Sequence, residues 1–447
     1  MTRPVFPFTV THRDVWRIAL PATLAFITEP MAGLVDLTVI GRLGDAALMG
    51  GLVLGALALD YLFSLAFFLR LGTAGLVAQS VGARDPHQGL IHFVRAIGIG
   101  LALAVLLLIL GRPLERLAAV LLGAGPAVAG PFATYFGVRL WSAPFVFINF
   151  ALLGWFYGRA EATTGMLLQL IVHGSNIVLS IWLVYGLGWG VTGVALGTVL
   201  AQAVAAIVGL GLVLRQGGGM GRIARALPRA DLFDTIALRR LFALSRDLMI
   251  RSAALMMAFA FFTAQTAREG AVLLAANAVI LNFQMVTAFF LDGQAQAVEQ
   301  LCGKAIGANY RPAFDRAVRL AMGWGFGIGA TLFVIWVAMG PLLIDLMTTA
   351  PEVREAARQY LGIAALAALT GVAPFVMDGI MQGATLNTLI RNGMVASLAV
   401  FLVAALTLQP LFGVNGLWLA LHIFFVTRGA IFWFAVQRKK PQLFPAS

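Results

Sequence analysis

Long apolar runs recur along this chain of 447 residues. About a dozen of them approach the roughly 20 residues that an α-helix needs to cross a bilayer. They are read at 15–40, 48–78, 93–111, 131–157, 166–186, 191–214, 247–268, 272–301, 318–345, 358–382, 393–411 and 414–436. Sheet is excluded as the spanning element, because an open edge in lipid leaves backbone N–H and C=O groups unpaired. Composition agrees: hydrophobic residues make up 60% of the chain and charged residues 11%, against about 25% charged in soluble domains. The first residues, Met1 to Asp14, are mixed and broken by Pro4 and Pro7, and are not expected to form a cleaved signal.

The chain is also duplicated, in two halves about 225 residues apart. Tyr135-Phe136-Gly137-Val138 returns as Tyr360-Leu361-Gly362-Ile363, and Gly154, Gly158 and Thr163 return as Gly379, Gly383 and Thr388. Gln79-Ser80-Val81-Gly82-Ala83 matches Lys304-Ala305-Ile306-Gly307-Ala308. With a small gap, Gly190-Val191-Thr192-Gly193 matches Gly413-Val414-Asn415-Gly416. A repeat of this length determines architecture before any single element does. In a membrane chain it points to a transporter with its site between the repeats.

The net charge is +12. In a soluble protein this would suggest nucleic acid, but here the basic residues sit in short connections between apolar runs. That distribution is a signature of orientation in the bilayer, not of a nucleic-acid partner. Arg84 and Arg95, then Arg215, Arg222, Arg225, Arg229, Arg239, Arg240 and Arg246, then Lys304, Arg311, Arg316 and Arg319, and finally Arg438, Lys439 and Lys440 mark one side. The alternate connections are poorer in positive charge. Positive-inside bias predicts cytoplasmic termini and a cytoplasmic central connector. Six spans per half give both halves the same orientation, so the repeats are expected to be parallel, related by a pseudo-two-fold axis along the membrane normal.

The predicted organisation is thus an all-α integral membrane protein of twelve helices: an N-terminal six-helix lobe over 1–214, a basic linker over 215–246 and a C-terminal six-helix lobe over 247–447. The linker, with Gly217-Gly218-Gly219, Pro228 and its arginines, reads equally as a headgroup-facing hinge or as a solvated tether. Pro21, Pro30, Pro144 and Pro374 lie within spans or at their edges and are expected to bend a helix or loosen a turn.

The lone Cys302 excludes an internal disulfide and a cysteine metal cluster. The five histidines show no metal-binding spacing, so no metal site is expected. His173 reads as a packed or interfacial residue in preference to a proton relay.

Acidic residues inside the spans are the informative exceptions. Asp36 lies in the first span, with Glu29 seven residues earlier on nearly the same helix face. Asp292 and Glu299 repeat that spacing in the eighth span, Asp60 lies in the second and Asp378 in the tenth. An ionised carboxylate at mid-bilayer costs about 2.5–3.5 kcal/mol on insertion scales, so such groups face a water-filled path or a partner. Burial penalises the charged form, which lets the group take up and release a proton. Each has a plainer reading too. Glu29 could bond a loosened turn at Pro30, Asp292 could pair with Arg70, and Glu299 could be hydrated at a span end. Asp36 has no obvious cation nearby in sequence. Asn176 and Ser180, one turn apart in the fifth span, and Thr198 in the sixth could line a cavity with Asp36. They serve equally well as helix-packing residues bonded to their own backbone.

At these residues the chain resembles the multidrug and toxic compound extrusion (MATE) family, its DinF-like branch most closely. Val35-Asp36-Leu37-Thr38-Val39-Ile40-Gly41-Arg42-Leu43 is similar to that family's first-span motif. Phe68-Leu69-Arg70 with Gly75-Leu76-Val77-Ala78-Gln79, and Leu291-Asp292-Gly293 with Ala297-Val298-Glu299, resemble its second and eighth spans. Asp378-Gly379-Ile380-Met381-Gln382-Gly383-Ala384-Thr385 followed by Arg391-Asn392-Gly393-Met394 resembles the branch's tenth-span signature.

The resemblance implies the two-lobed MATE/MOP fold with a central cavity, and export of organic, often cationic or amphipathic, compounds. It implies Asp36 as the coupling carboxylate of the N-terminal lobe, Asn176 and Thr198 as its partners, and Pro21 as the point at which the first helix bends. Ser180 stands where several members carry a second Asp, which argues against a sodium site needing both carboxylates. Asp292, Glu299 and Asp378 would form a C-lobe polar cluster. The expectation is a proton-driven antiporter of the cytoplasmic membrane, monomeric, surrounded by lipid and without a cofactor. Sodium coupling is the first rival and a lipid-linked precursor flippase of the same superfamily the second. Arg70, Arg139 and Arg251 are candidate cations for the flippase, but each could instead pair with an acid. An intramembrane enzyme is disfavoured, because no nucleophile stands at helical spacing from a base.

Overall fold

Each predicted span becomes helix, and local chemistry sets where the helices begin and break. In this computed structural model, residues 4–216 and 235–445 are described. The helices are α1 (His12–Gly41), α2 (Ala46–Ser64), α3 (Phe68–Gly82), α4 (Pro86–Ile109), α5 (Gly111–Leu121), α6 (Pro126–Arg139), α7 (Ala143–Gly158), α8 (Ala162–Ile181) and α9 (Gly190–Gln216). There follow α10 (Thr235–Arg268), α11 (Ala271–Gly307), α12 (Arg311–Met347), α13 (Pro351–Ala365), α14 (Ala367–Thr370), α15 (Val372–Gly383), α16 (Asn387–Phe412) and α17 (Val414–Leu443). No strand occurs among the described residues. Taken singly or as broken pairs, these helices make 12 segments long and apolar enough to span a membrane, one for each predicted run. Of the connector predicted over 215–246, residues 217–234 lie outside the described residues, and α10 begins at Thr235.

Three helix starts, those of α1, α2 and α4, carry side-chain caps. Thr11 and Asp14 form a reciprocal box at the head of α1: the Thr11 N–H donates to Asp14 Oδ2 at 2.8 Å, and the Asp14 N–H donates to Thr11 Oγ1 at 3.3 Å. Asp45 accepts from the N–H groups of Ala47 and Leu48 and starts α2. Asp85 does the same for α4 through Gln88, with Pro86 at the first helical position, where a missing N–H costs nothing.

The interior prolines act unequally. Pro144 cannot donate to the Leu140 carbonyl, which accepts from the Ala143 N–H instead, and a 3₁₀ turn over Leu140–Ser142 joins α6 to α7. The tenth span breaks at Leu366 and again at Gly371, three residues ahead of Pro374. By contrast α1 runs unbroken through Pro21 and Pro30. The second span breaks without any proline. There the Ser64 hydroxyl bonds back to the Tyr61 carbonyl at 2.7 Å and competes with the helix ladder. Helix α5 lies in the stretch between the third and fourth predicted spans, where no helix is expected. Its exposed Leu117, Val120 and Leu121 suit a helix lying in the bilayer surface.

The chain forms two compact units. One comprises Met1–Thr23, Gly82–Arg84 and Phe242–Ser447. Its core gathers Phe262, Phe401, Trp418, Phe424 and Phe425, all at most 1% exposed. Trp418 Nε1 donates to Asn277 Oδ1 at 2.9 Å, so the indole is buried without leaving its N–H unpaired. Into this unit the chain start packs by a Phe6 N–H bond to the Ala308 carbonyl and by Trp16 edge-on to Trp324 at 5.0 Å. The other unit comprises Leu24–Val81 and Asp85–Leu241. A cluster of Val39, Ile40, Leu52, Tyr135, Val184 and Val194 joins α1, α2, α6 and α9 within it.

Glycine carries the close helix contacts, and the duplication reappears there. A Cβ on Gly154 would lie 2.7 Å from the Arg70 carbonyl oxygen, and one on Gly158 would lie 2.7 Å from that of Ala74. In the other unit a Cβ on Gly379 would lie 2.1 Å from the Ala295 oxygen, and one on Gly383 would lie 2.2 Å from that of Glu299. Arg70 and Ala295, and Ala74 and Glu299, stand at the offset of the sequence repeat. Each half therefore builds the same backbone-to-backbone contact, α7 on α3 and α15 on α11. In lipid, where apolar burial gives helices little reason to associate, this close packing is a main source of cohesion. Large side chains such as Ile109, Val120, Leu346 and Leu411 stay more than two-thirds exposed, as suits a protein whose solvent is hydrocarbon.

Candidate functional site

Asp36 lies in an apolar stretch of α1, one turn before Val39 and Ile40 of the core cluster. It is 7% exposed, and its Oδ1 has no hydrogen-bond partner. The groups acting on its charge are Ser180 and Asn176 of α8 and, from further away, Arg139. Ser180 is fully buried with its Oγ unpartnered, and Asn176 Oδ1 is unpartnered as well. Asn176 instead donates through Nδ2 to Thr198 Oγ1 at 2.9 Å, and the Thr198 hydroxyl donates to the Val194 carbonyl at 3.1 Å. This chain of bonds fixes the direction of the Asn176 amide. A Cβ on Gly197 would sit 3.0 Å from the Ser180 nitrogen, so a glycine there lets α9 close onto α8 at this level.

The backbone around the site is irregular. Shortly after Ser180, residues Trp182–Gly186 form a π-helical turn, a feature that often marks functional positions. The widened turn presents Tyr185, whose hydroxyl donates to the Val39 carbonyl at 3.1 Å. The end of α8 is thereby tied to α1 just beyond Asp36.

The structure thus brings Asp36, Asn176, Ser180 and Thr198 together, and Thr198 also bonds its own helix backbone. Glu29 stands two turns from them and is exposed. Arg139 donates to Asp60 at 2.8 Å and lies over the Tyr135 ring, so it is already committed to another carboxylate. Pro21 and Pro30 are half-buried along α1.

In the other unit the predicted carboxylates gather around arginine. Asp378, on α15, accepts from Arg251 Nη2 at 2.8 Å and lies 3.6 Å from Arg428 Nη2. Asp292 and Glu299 of α11 add their fields at Arg251. Glu299 is 3% exposed and accepts from Gln296 at 3.0 Å. Of the three arginines that a flippase would need as cations, Arg251 and Arg139 therefore pair with acids. Arg70 is buried and packs over the rings of Phe26, Phe67 and Tyr157.

Arg428 is a functional candidate that the sequence reading passes over. It is 1% exposed, with Phe375, Phe424 and Phe425 stacked within about 6 Å of its guanidinium. Its signal is present in the chain, since it is a lone arginine in the middle of the last apolar run. A cation so fully removed from water is expensive unless paired, which makes such a position informative.

Comparison with known proteins places this architecture. The MatE family profile matches residues 21–182 and 248–411. The DNA damage-inducible protein F of Escherichia coli K12 is 36% identical over 425 residues, covering 94% of this chain and 91% of that protein. The multidrug export protein MepA of Staphylococcus aureus is 22% identical over 423 residues, covering 92% of this chain and 90% of that one. A crystal structure of MATE in the straight conformation matches the fold with a TM-score of 0.87, at 18% identity and 97% coverage of both chains. The family profile spans most of both halves and the E. coli relative nearly the whole chain, so this protein is a multi-pass membrane transporter of the MatE family, not an enzyme.

Proposed function

We propose that this transporter exports small organic compounds, amphipathic or cationic, in exchange for protons, and that Asp36 carries the exchanged proton. The observation that supports this reading most directly is the state of Asp36. It is buried in an apolar helix, one oxygen lacks any partner, and Arg139, the arginine whose charge reaches it, is bonded to Asp60. The carboxylate is free to alternate between a charged form that attracts substrate and a neutral form that releases it. Ser180 can donate to the charged form, while the unpartnered Asn176 Oδ1 can accept a hydrogen bond from the protonated carboxyl. Asp378, held by Arg251 beside Arg428, is cast instead as a structural ion-pair partner. One charge moved through 100 mV is worth about 2.3 kcal/mol. That is enough to bias a two-state equilibrium whose gap is a few kcal/mol.

The distribution of basic residues supports cytoplasmic termini in a cytoplasmic-membrane protein. The absence of a second carboxylate at Ser180 favours protons over sodium. We take the working form as a monomer without a cofactor.

The test is transport in proteoliposomes under separately imposed proton and sodium gradients. Efflux driven by the proton gradient, and its loss in a folded Asp36→Asn variant, are the expected results. Undiminished proton-driven transport by Asp36→Asn overturns the assignment of the carrier. Dependence on sodium at constant pH overturns the coupling ion.

A further inference from the structure

A crevice of about 320 Å³ opens between the first turns of α12 and the last turns of α17, over α15. That volume is at the lower end of what small-ligand pockets enclose. Its apolar wall is built from Phe314 and Val318 of α12 and from Met377 and Ile380 of α15. Trp433 stands at its edge, 40% exposed, beside Phe434 at 65%. An indole exposed toward the end of a spanning helix is usual where membrane meets water.

The other end of the crevice is charged. Lys440 pairs with Asp315, which also lies 3.6 Å from Arg311. Arg319 lines the same opening and is exposed, and among the described residues it makes no ion pair. Arg316, Arg438 and Lys439 continue the basic rim on the same two helix ends. Asp315 is the one acid lining the crevice, so the opening has an excess of positive charge. One side chain there is a guanidinium with its donors uncommitted.

We propose that this crevice binds an anionic glycerophospholipid of the surrounding bilayer, its phosphodiester on Arg319 and Lys440 and an acyl chain along Phe314, Val318, Met377 and Ile380. Basic pockets between spanning helices are suited to anionic headgroups, and a guanidinium matches phosphate oxygens in geometry as well as charge. A soluble anion would satisfy Arg319 but leave the apolar wall against water. A lipid satisfies both ends and reaches the crevice by lateral diffusion. The wall includes Met377, which precedes Asp378, and Ile380, two residues beyond it, so the bound lipid packs on the turn that carries the Arg251 ion pair.

The test uses the full chain, purified in detergent and titrated with phosphatidylglycerol or with phosphatidylcholine of the same acyl chains. Retained lipid is read by native mass spectrometry. One phosphatidylglycerol should be held under conditions that strip phosphatidylcholine. Arg319→Gln should reduce its retention several-fold, whereas Arg438→Gln, on the rim but outside the crevice, should not. Val318→Trp fills the apolar part without changing charge and should reduce retention as well. If Val318→Trp fails to fold, the comparison of Arg319→Gln with Arg438→Gln still decides. Equal retention of the two lipids, equal losses in the two arginine variants, or competition by glycerol phosphate at the same concentration as the lipid overturns the proposal. The last outcome would assign the crevice to a soluble anion.

Discussion

Arg251 Nη2 donates to Asp378 Oδ2 at 2.8 Å, joining helices whose residues are 127 positions apart. Asp378 is buried and Arg251 half-buried, with side-chain exposures of 5% and 16%, and Arg428 faces the same carboxylate oxygen from α17 at 3.6 Å. Its consequences for stability are unequal on the two sides. Arg251→Met leaves Asp378 with Arg428 as a second cation. Asp378→Asn removes the carboxylate that both arginines share. Losing one partner of a buried pair costs about 3–5 kcal/mol. Asp378→Asn should therefore lower the thermal midpoint in detergent more than Arg251→Met does. The reverse order would show that Arg428 does not share the carboxylate.

The glycine contacts make a matched prediction for the two halves. Gly154→Ala and Gly379→Ala each drive a methyl into a backbone carbonyl that cannot swing away. Overpacking of this kind costs about 1–3 kcal/mol, and both variants should melt early. Gly98 and Gly174 also lie within helices, but a methyl added at either would meet nothing within 4 Å. Alanine there should be neutral or stabilising, by up to about 1 kcal/mol. Parallel thermal unfolding of the four variants checks the contrast.

At the Asp36 site the hydrogen-bond chain predicts graded effects. Thr198→Val removes the acceptor of the Asn176 amide and frees that side chain to turn. Proton-driven efflux should fall while the fold and the thermal midpoint change little. Thr198→Ser, which restores the hydroxyl, should recover most of the rate. Full transport by Thr198→Val together with loss in Thr198→Ser would mean that the threonine methyl matters and the hydrogen bond does not.

Tyr185→Phe deletes the hydroxyl bond to the Val39 carbonyl. A neutral hydrogen bond of this kind contributes about 0.5–1.5 kcal/mol. The substitution should barely change stability, yet it releases the π-helical turn from α1 next to Asp36. The expected readout is a shift in the pH dependence of efflux relative to the parent protein. An unchanged profile would detach this turn from the coupling site.

Much of this was legible in the chain. The twelve apolar runs, the duplication and the isolated Asp36 could be read directly, because a bilayer demands length and hydropathy and penalises each exception. The positions of Gly154, Gly158, Gly379 and Gly383 announced themselves through the repeat. Other features could not be read. Helix α5 and the break after Ser64 depend on local competition for hydrogen bonds that hydropathy does not register. Arg428 was visible as an in-span cation but carried no hint of its partner.

The sequence by itself determined the number of spans, the two-fold repetition and the acidic residues worth noting, since each follows from composition along a line and the cost of polar groups in hydrocarbon. Only the tertiary structure decided which carboxylates are held by arginine and which are not. It bonds Asp60 to Arg139 and Asp378 to Arg251 while leaving Asp36 Oδ1 without a partner. Pairing is a matter of a few ångströms between distant segments. It is the helix packing, closed through glycine at the same two places in each repeat, that sets those distances.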